Sequence, residues 1–209
     1  MTDSDDLEEA YGIKTPDDAA RLYGDWATTY DQSFAEARGY IAPRKVAERF
    51  KQMATSSEQP VLDIGAGTGL LATELRGLTV DGIDISAPML EVAASKGLYR
   101  QRIVADLTQP LAIEDDSYAG FVSSGTFTHG HVGPVCLGEL LRVAKPNALF
   151  CLGTNAEAFD GAGFGSAFAF LVAAGRITPV AFEAFPIYED AGHEHAQDQG
   201  LIAIFRKTG

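Results

Sequence analysis

In the run Asp63-Ile64-Gly65-Ala66-Gly67-Thr68-Gly69, three alternating glycines follow a short apolar stretch and precede Leu70 and Leu71. Glycines where a strand turns into a helix let backbone approach a ligand at points a side chain would obstruct. A dinucleotide-binding loop would carry glycine or alanine three positions after Gly67, to pack helix on strand, and Leu70 stands there instead. The carboxylate of Asp63 discriminates further, because it repels a pyrophosphate and suits a ligand bearing an ammonium or sulfonium group. Asp84 closes the next apolar run about twenty residues after Gly65, from where an acid can accept hydrogen bonds from ribose hydroxyls. Asp106 closes a third run, where its carboxylate could accept from an adenine amino group, with Ile85, Met89 and Leu107 supplying an apolar slot. Singly, each acid could be a turn cap or a solvated strand end. Jointly, a glycine loop with Gly65, Ala66 and Gly67 and acids ending three successive strands point to a positively charged nucleoside-type ligand.

These residues need a parallel sheet to bring them to one edge, and the chain from Pro60 onward has the corresponding alternation of apolar runs and helical stretches. The runs PVLDIG, TVDGID, RIVAD and YAGFVSSG read as strands. Between them, Gly69 to Arg76 reads as a helix ended by Gly77, and Ser86 and Pro88 open a helix that Gly97 closes. PVCLGELLRVAK has helical spacing and is expected to run to Pro146, which halts it. ALFCLGT reads as a fifth strand, a helix is expected around Phe164 to Ala174, and PVAFEAFPIY and LIAIFR read as antiparallel neighbours. Gly161, Gly163 and Gly165 lie beyond their strand and read as a loop near an acceptor pocket. Upstream, Thr15, Pro16, Asp17 and Asp18 form a helix-start signal, a second helix is expected to open near Pro43, and Tyr23, Trp26, Tyr30, Phe34 and Tyr40 make the prefix rich in aromatics. The division expected is an N-terminal tail and helical lid over residues 1–55 and a core domain over 56–209.

At 209 residues, 46% hydrophobic and 22% charged, the chain suits one globular domain. A net charge of −13 disfavours nucleic acid and anionic lipid as partners. No run approaches the roughly 20 apolar residues of a membrane span and the N-terminus lacks a basic region followed by an apolar one, so the expected location is the cytosol. Cys136 and Cys151 read as reduced core thiols. His129 with His131, and His193 with His195, lack a matching cysteine or carboxylate set, so no metal is expected.

The motif VLDIGAGTGLL resembles that of the class I S-adenosylmethionine-dependent methyltransferases, over roughly residues 23 to 154. The resemblance implies a doubly wound, mostly parallel seven-stranded α/β sheet, Rossmann-like, with S-adenosyl-L-methionine as cofactor and S-adenosyl-L-homocysteine as product. It also implies that the loop holds the methionyl part, Asp84 the ribose, and Asp106 and Leu107 the adenine. ELLRVAKPNALF is similar to the family's segment after strand four, with Asn147 in place of the usual glycine, and Ala119 stands where an aspartate is usual. YGDWATTYD, RGYIAPRK and KGLYRQ resemble the Williams-Beuren-region methyltransferase-like proteins.

Transfer from a sulfonium is an in-line displacement that alignment largely catalyses, and an acceptor that must lose a proton would also need a base. His129, after strand four, is the candidate base. Tyr23, Trp26, Tyr30 and Arg44 are candidates for closing over the cofactor, with Arg44 able to pair with the methionyl carboxylate. The expected partner is a small-molecule methyl acceptor. The competing readings are a non-catalytic adenosylmethionine-binding protein and a nicotinamide-dependent oxidoreductase, the latter opposed by Leu70 and Asp63.

Overall fold

The computed structural model describes residues 16–36, 38–128, 132–189, 192 and 195–209. Helix α1 spans Pro16–Trp26, a π-helical turn spans Asp31–Glu36, and α2 spans Ala42–Met53. Alternating elements follow: β1 Val61–Ile64, α3 Leu70–Glu74, β2 Val80–Asp84, α4 Ala87–Ser95, β3 Arg102–Val104 and β4 Tyr118–Phe127. A 3-10 turn at Pro134–Cys136 leads into α5 Leu137–Val143 and β5 Ala144–Asn155. Helices α6 Ala156–Gly161 and α7 Phe164–Ala173 precede β6 Ala181–Pro186 and β7 Gln199–Arg206.

The strands form one seven-stranded sheet in the order β3-β2-β1-β4-β5-β7-β6. The first five are parallel, and β7 pairs antiparallel with both β5 and β6. Successive strand residues point to opposite faces, and the core divides accordingly. Phe150 and Leu152 of β5 join Phe121, Leu140 and Phe164 in one cluster, while Leu149 and Cys151 join Val46, Phe50 and Leu90 in another. Helices therefore flank both faces: α5 and α7 on one, α2, α3 and α4 on the other. Cys136 and Cys151 are buried free thiols, and burial pushes each up to about 12, so both stay protonated.

Several boundaries differ from those read in the sequence, each for a local reason. The helix expected to reach Pro146 ends at Val143, because Ala144 already pairs with Tyr118 of β4. The chain then bulges before Leu149 regains register opposite Gly120, and Asn147 takes the left-handed conformation at φ 65°. The glycine cluster at 161–165 is not a loop but the junction of α6 and α7, with Gly163 as the left-handed N-cap of α7. Val46, Ala47 and Phe50 of α2 are fully buried and pack with Val122 and Leu149 in the core. The expected N-cap Thr15 lies outside the described residues.

Candidate active site

The carboxyl ends of β1, β2 and β4 and the segment after β3 open into one cavity of about 1010 Å³, measured to include its mouth. In an open α/β sheet this crevice is where ligands bind. The order of β1, with β2 on one side and β4 on the other, is what brings the glycine loop between the acid-bearing strand ends and the end of β4. Of the candidate residues, Tyr30, Asp63, Gly65, Ala66, Gly67, Asp84, Ile85, Met89, Asp106 and Leu107 all line this cavity. Arg44 does not: it is ion-paired with Glu189 on the protein surface, so its charge is already matched away from the pocket. His129 and His131 lie outside the described residues.

The loop's two inner glycines do different work. Gly65 (φ 67°) packs so closely that an added Cβ would lie 1.8 Å from Oγ1 of Thr126, whose hydroxyl donates to the Ile64 carbonyl at 2.8 Å. It lets β4 close against β1. Gly67 (φ 51°) has nothing within 4 Å of the same position and opens into the cavity. Of the two, only Gly67 leaves open space beside the loop backbone.

Each acid is held by its own short-range partners. The Gly67 and Ser86 amides each donate to one oxygen of Asp84 at 2.8 Å. A carboxylate has about four acceptor sites, so each oxygen retains capacity for a ligand hydroxyl. At Asp106 both the Thr108 amide (2.8 Å) and hydroxyl (2.7 Å) donate to Oδ1, leaving Oδ2 outside that turn. Asp63 is 1% exposed and accepts from the Tyr99 hydroxyl at 2.7 Å. Burial pushes its carboxyl up to about 7, the Tyr99 bond opposing and the charge of Asp84 adding to the rise. Tyr99 reaches Asp63 by lying across Gly82 of β2, where a Cβ would meet its ring at 2.9 Å.

Tyr40 of the aromatic prefix and three residues not singled out in the sequence complete the wall. Tyr40, Ser124, Thr126 and Val132 line it, and the Tyr40 hydroxyl lies 3.1 Å from Oγ of Ser124. A second group ties the prefix to the loop. The Thr68 hydroxyl donates to Asp31 Oδ1 at 2.5 Å, Lys96 is ion-paired with the same carboxylate, and Lys96 also donates to the Thr68 carbonyl at 2.7 Å. Lys96 and Asp31 stand 65 residues apart, with no periodic signal joining them.

The family described as Methyltransferase domain matches residues 62–152. Methyltransferase-like protein 27 of Homo sapiens is 36% identical over 157 residues, covering 71% of this chain and 62% of that protein. Over these residues the chain is similar to methyltransferases. An uncharacterized methyltransferase of Geobacillus thermodenitrificans (strain NG80-2) is 42% identical over 82 residues, covering 36% of this chain and 37% of that protein. The chain thus spans less than two thirds of the length of these curated relatives.

The solved structures extend the likeness in fold. The [4+2]-cyclase SpnF superposes with a TM-score of 0.68 at 15% identity, covering 94% of this chain and 97% of its own. A chain from the complex of the Trm112 methyltransferase activator with a methyltransferase of Haloferax volcanii gives 0.67 at 19% identity, covering 90% and 98%. Since one neighbour of this methyltransferase fold carries the name of a cyclase, chemistry has to be argued from the site.

The lining suits the cofactor that the resemblance to methyltransferases implies. Three carboxylates, an open left-handed glycine and an apolar slot match a ligand with an ammonium, a ribose and an adenine, and no lysine, arginine or histidine lines the cavity among the described residues. Among those residues no group of three or more His, Cys, Asp or Glu could hold a metal ion, and no helix is long and apolar enough to cross a membrane.

Proposed function

We propose that the chain transfers a methyl group from S-adenosyl-L-methionine to a small-molecule acceptor. The observation that carries this reading is the convergence of Asp63, Asp84 and Asp106 around the open face of Gly67 in a single cavity. In this reading Asp84 accepts from the ribose hydroxyls, Asp106 from the adenine amino group, and Asp63 faces the ammonium. Ile85, Met89 and Leu107 enclose the adenine ring. The cofactor supplies an activated methyl group, and the chain's own residues align it and exclude water. His129 is retained as a candidate base for acceptors that must lose a proton. Incubation with methyl-labelled cofactor and fractionated cell metabolites tests the function: a labelled small molecule supports it, and cofactor binding with no labelled product in any fraction favours a non-catalytic binding protein.

Asp84→Asn is expected to weaken adenosylhomocysteine binding about ten- to hundredfold, because a charged acceptor is replaced by a neutral amide with one oxygen. Calorimetry checks it, and unchanged affinity would remove the ribose assignment.

The prefix acts in this reading as a lid. Tyr23 and Tyr30 bring α1 and its following turn to the cavity wall, α1 lies against α4, and Asp31 fastens the segment to Thr68 and Lys96. Both partners of the Lys96 pair are partly exposed, so the fastening is modest. Lys96→Met should speed adenosylhomocysteine release about three- to tenfold and leave the prefix open to protease when the ligand is bound. Stopped-flow release and limited proteolysis read this directly; wild-type behaviour in both would detach the lid from the latch.

A further inference from the structure

Besides the acids, the glycine loop and the apolar slot, the cavity is lined by Tyr23, Tyr30, Tyr40, Ser124 and Val132. Ser124 belongs to β4, the Tyr40 hydroxyl lies 3.1 Å from its Oγ, and Tyr23 and Tyr30 neighbour Tyr40. The rings of Tyr23 and Tyr30 are 6.2 Å apart at 70°, and Tyr40 stands 5.7 Å from Tyr188. This wall is rich in aromatic faces and hydroxyl oxygens, and the nearest charges lining the same cavity are carboxylates. Burial raises the hydroxyls of Tyr23, Tyr30 and Tyr40, which keeps them neutral. For Tyr23 the neighbouring Tyr40 and then the charge of Asp84 add to the rise, so the negative field of the acids extends to this wall.

We propose that the acceptor is an amine, held by the tyrosine-lined wall at the end of β4 and methylated on nitrogen. The inference rests on the methyltransferase function above and adds the acceptor's chemical class. The lone pair of a neutral amine forms the new nitrogen–carbon bond, and the carbon–sulfur bond breaks with its electron pair going to sulfur. A tertiary amine becomes a quaternary ammonium, and a primary or secondary amine afterwards releases one proton to water. Positive charge therefore moves from sulfur to nitrogen along the transfer axis. Aromatic faces and fixed carboxylates stabilise charge that develops there, and they do so more in the transition state than in the neutral reactant. A carboxylate or phosphate acceptor would meet no cationic side chain among the described lining residues and would face Asp63 and Asp84. An alcohol, which does not finish as a cation, would draw no such advantage.

The test uses the whole chain with adenosylhomocysteine, which lacks the sulfonium charge and so leaves the acceptor wall as the variable. Calorimetry first measures adenosylhomocysteine alone; failure to bind would overturn the methyltransferase reading and this inference with it. With adenosylhomocysteine at saturation, choline and its uncharged tert-butyl isostere are then titrated as a pair matched in shape and differing in charge. Choline is expected to bind about tenfold more tightly. Equal affinities, tighter binding of the neutral isostere, or no measurable binding of either would overturn the amine assignment while leaving the cofactor reading intact. Tyr23→Leu should reduce the preference for choline without altering that for the isostere, and an unchanged preference would remove Tyr23 from the wall. With labelled cofactor, a panel of amines, carboxylic acids and phenols should yield methylated amines; product confined to the acids or phenols would overturn the proposal.

Discussion

Gly65→Ala is expected to lower the melting temperature by about 4 to 20 °C and to abolish measurable adenosylhomocysteine binding. The added methyl would sit 1.8 Å from Oγ1 of Thr126 and 2.8 Å from its Cβ and Cγ2, and the backbone there has φ 67°. Overpacking of this kind costs about 1 to 3 kcal/mol, and a left-handed alanine about 1 to 2 kcal/mol more. Thr126 is not free to give way. It is 8% exposed, belongs to β4, and its hydroxyl holds the Ile64 carbonyl immediately before the loop. Displacing it would part β1 from β4 at the point where the cavity begins. Gly67→Ala is the contrasting variant: with open space around the added carbon, it should cost only the left-handed penalty in stability while obstructing the ligand. Thermal melts and calorimetry on the two variants separate the roles. A Gly65→Ala protein melting with the wild type would refute the packing argument, and a Gly67→Ala protein binding normally would move the ligand away from that glycine.

Sequence pattern made the sheet legible because each of the first strands is an apolar run bounded by a residue with a local preference. Ser86, for example, accepts from the Met89 amide at 3.4 Å and starts α4 where a cap residue should. The acid-bearing wall of the cavity was legible for the same reason: Asp84 ends β2, Asp106 lies two residues beyond β3, and their partners, Ser86 and Thr108, lie two residues on. What pattern missed is non-local. Tyr99 reaches Asp63 across 36 residues, and Arg44 is drawn to Glu189 across 145, so neither pairing leaves a periodic trace. The role of Gly65 was hidden similarly, since its reason is a side chain on another strand. Pro146 suggested a helix stop, but the pairing of Ala144 with Tyr118 ended the helix earlier than the proline would have.

The affinity for adenosylhomocysteine should rise as pH is raised from 5 to about 7 and then level off, and Asp63→Asn should flatten that profile and weaken binding at its upper end. The carboxyl of Asp63 in the ligand-free protein is pushed up to about 7, mainly by burial, whereas in an unfolded chain it would titrate near the ordinary value of about 3.9. Below that raised value the native protein holds a proton on Asp63. A ligand ammonium facing this residue favours the ionised carboxylate, so binding must expel the proton, and well below pH 7 the affinity should change by about tenfold per pH unit. Calorimetry at pH 6 in buffers of different ionisation enthalpy should register release of close to one proton. The same shift fixes the sign of the stability effect without ligand. Between about pH 4 and 7 the native state binds a proton that the unfolded state has lost, so stability falls as pH rises, by at most about 4 kcal/mol across the interval. Glu58 and Glu139 contribute no slope between pH 5 and 8. Burial raises Glu58, but hydrogen bonds from Thr55, Arg206 and Ser57 outweigh it and bring the carboxyl down to about 2, and the Arg142 bond holds Glu139 down to about 2, so both are ionised throughout. Asp84 is raised by burial and contributes with the same sign as Asp63, so Asp63→Asn should reduce the fall in stability without removing it. The substituted amide would preserve shape and an oxygen for the Tyr99 hydroxyl, which keeps folding separate from charge. Tyr99→Phe provides the opposite perturbation: losing the bond that favours the carboxylate should move the binding inflection to higher pH. An affinity independent of pH in the wild type, or an inflection that Asp63→Asn leaves in place, would show that the ammonium is held elsewhere.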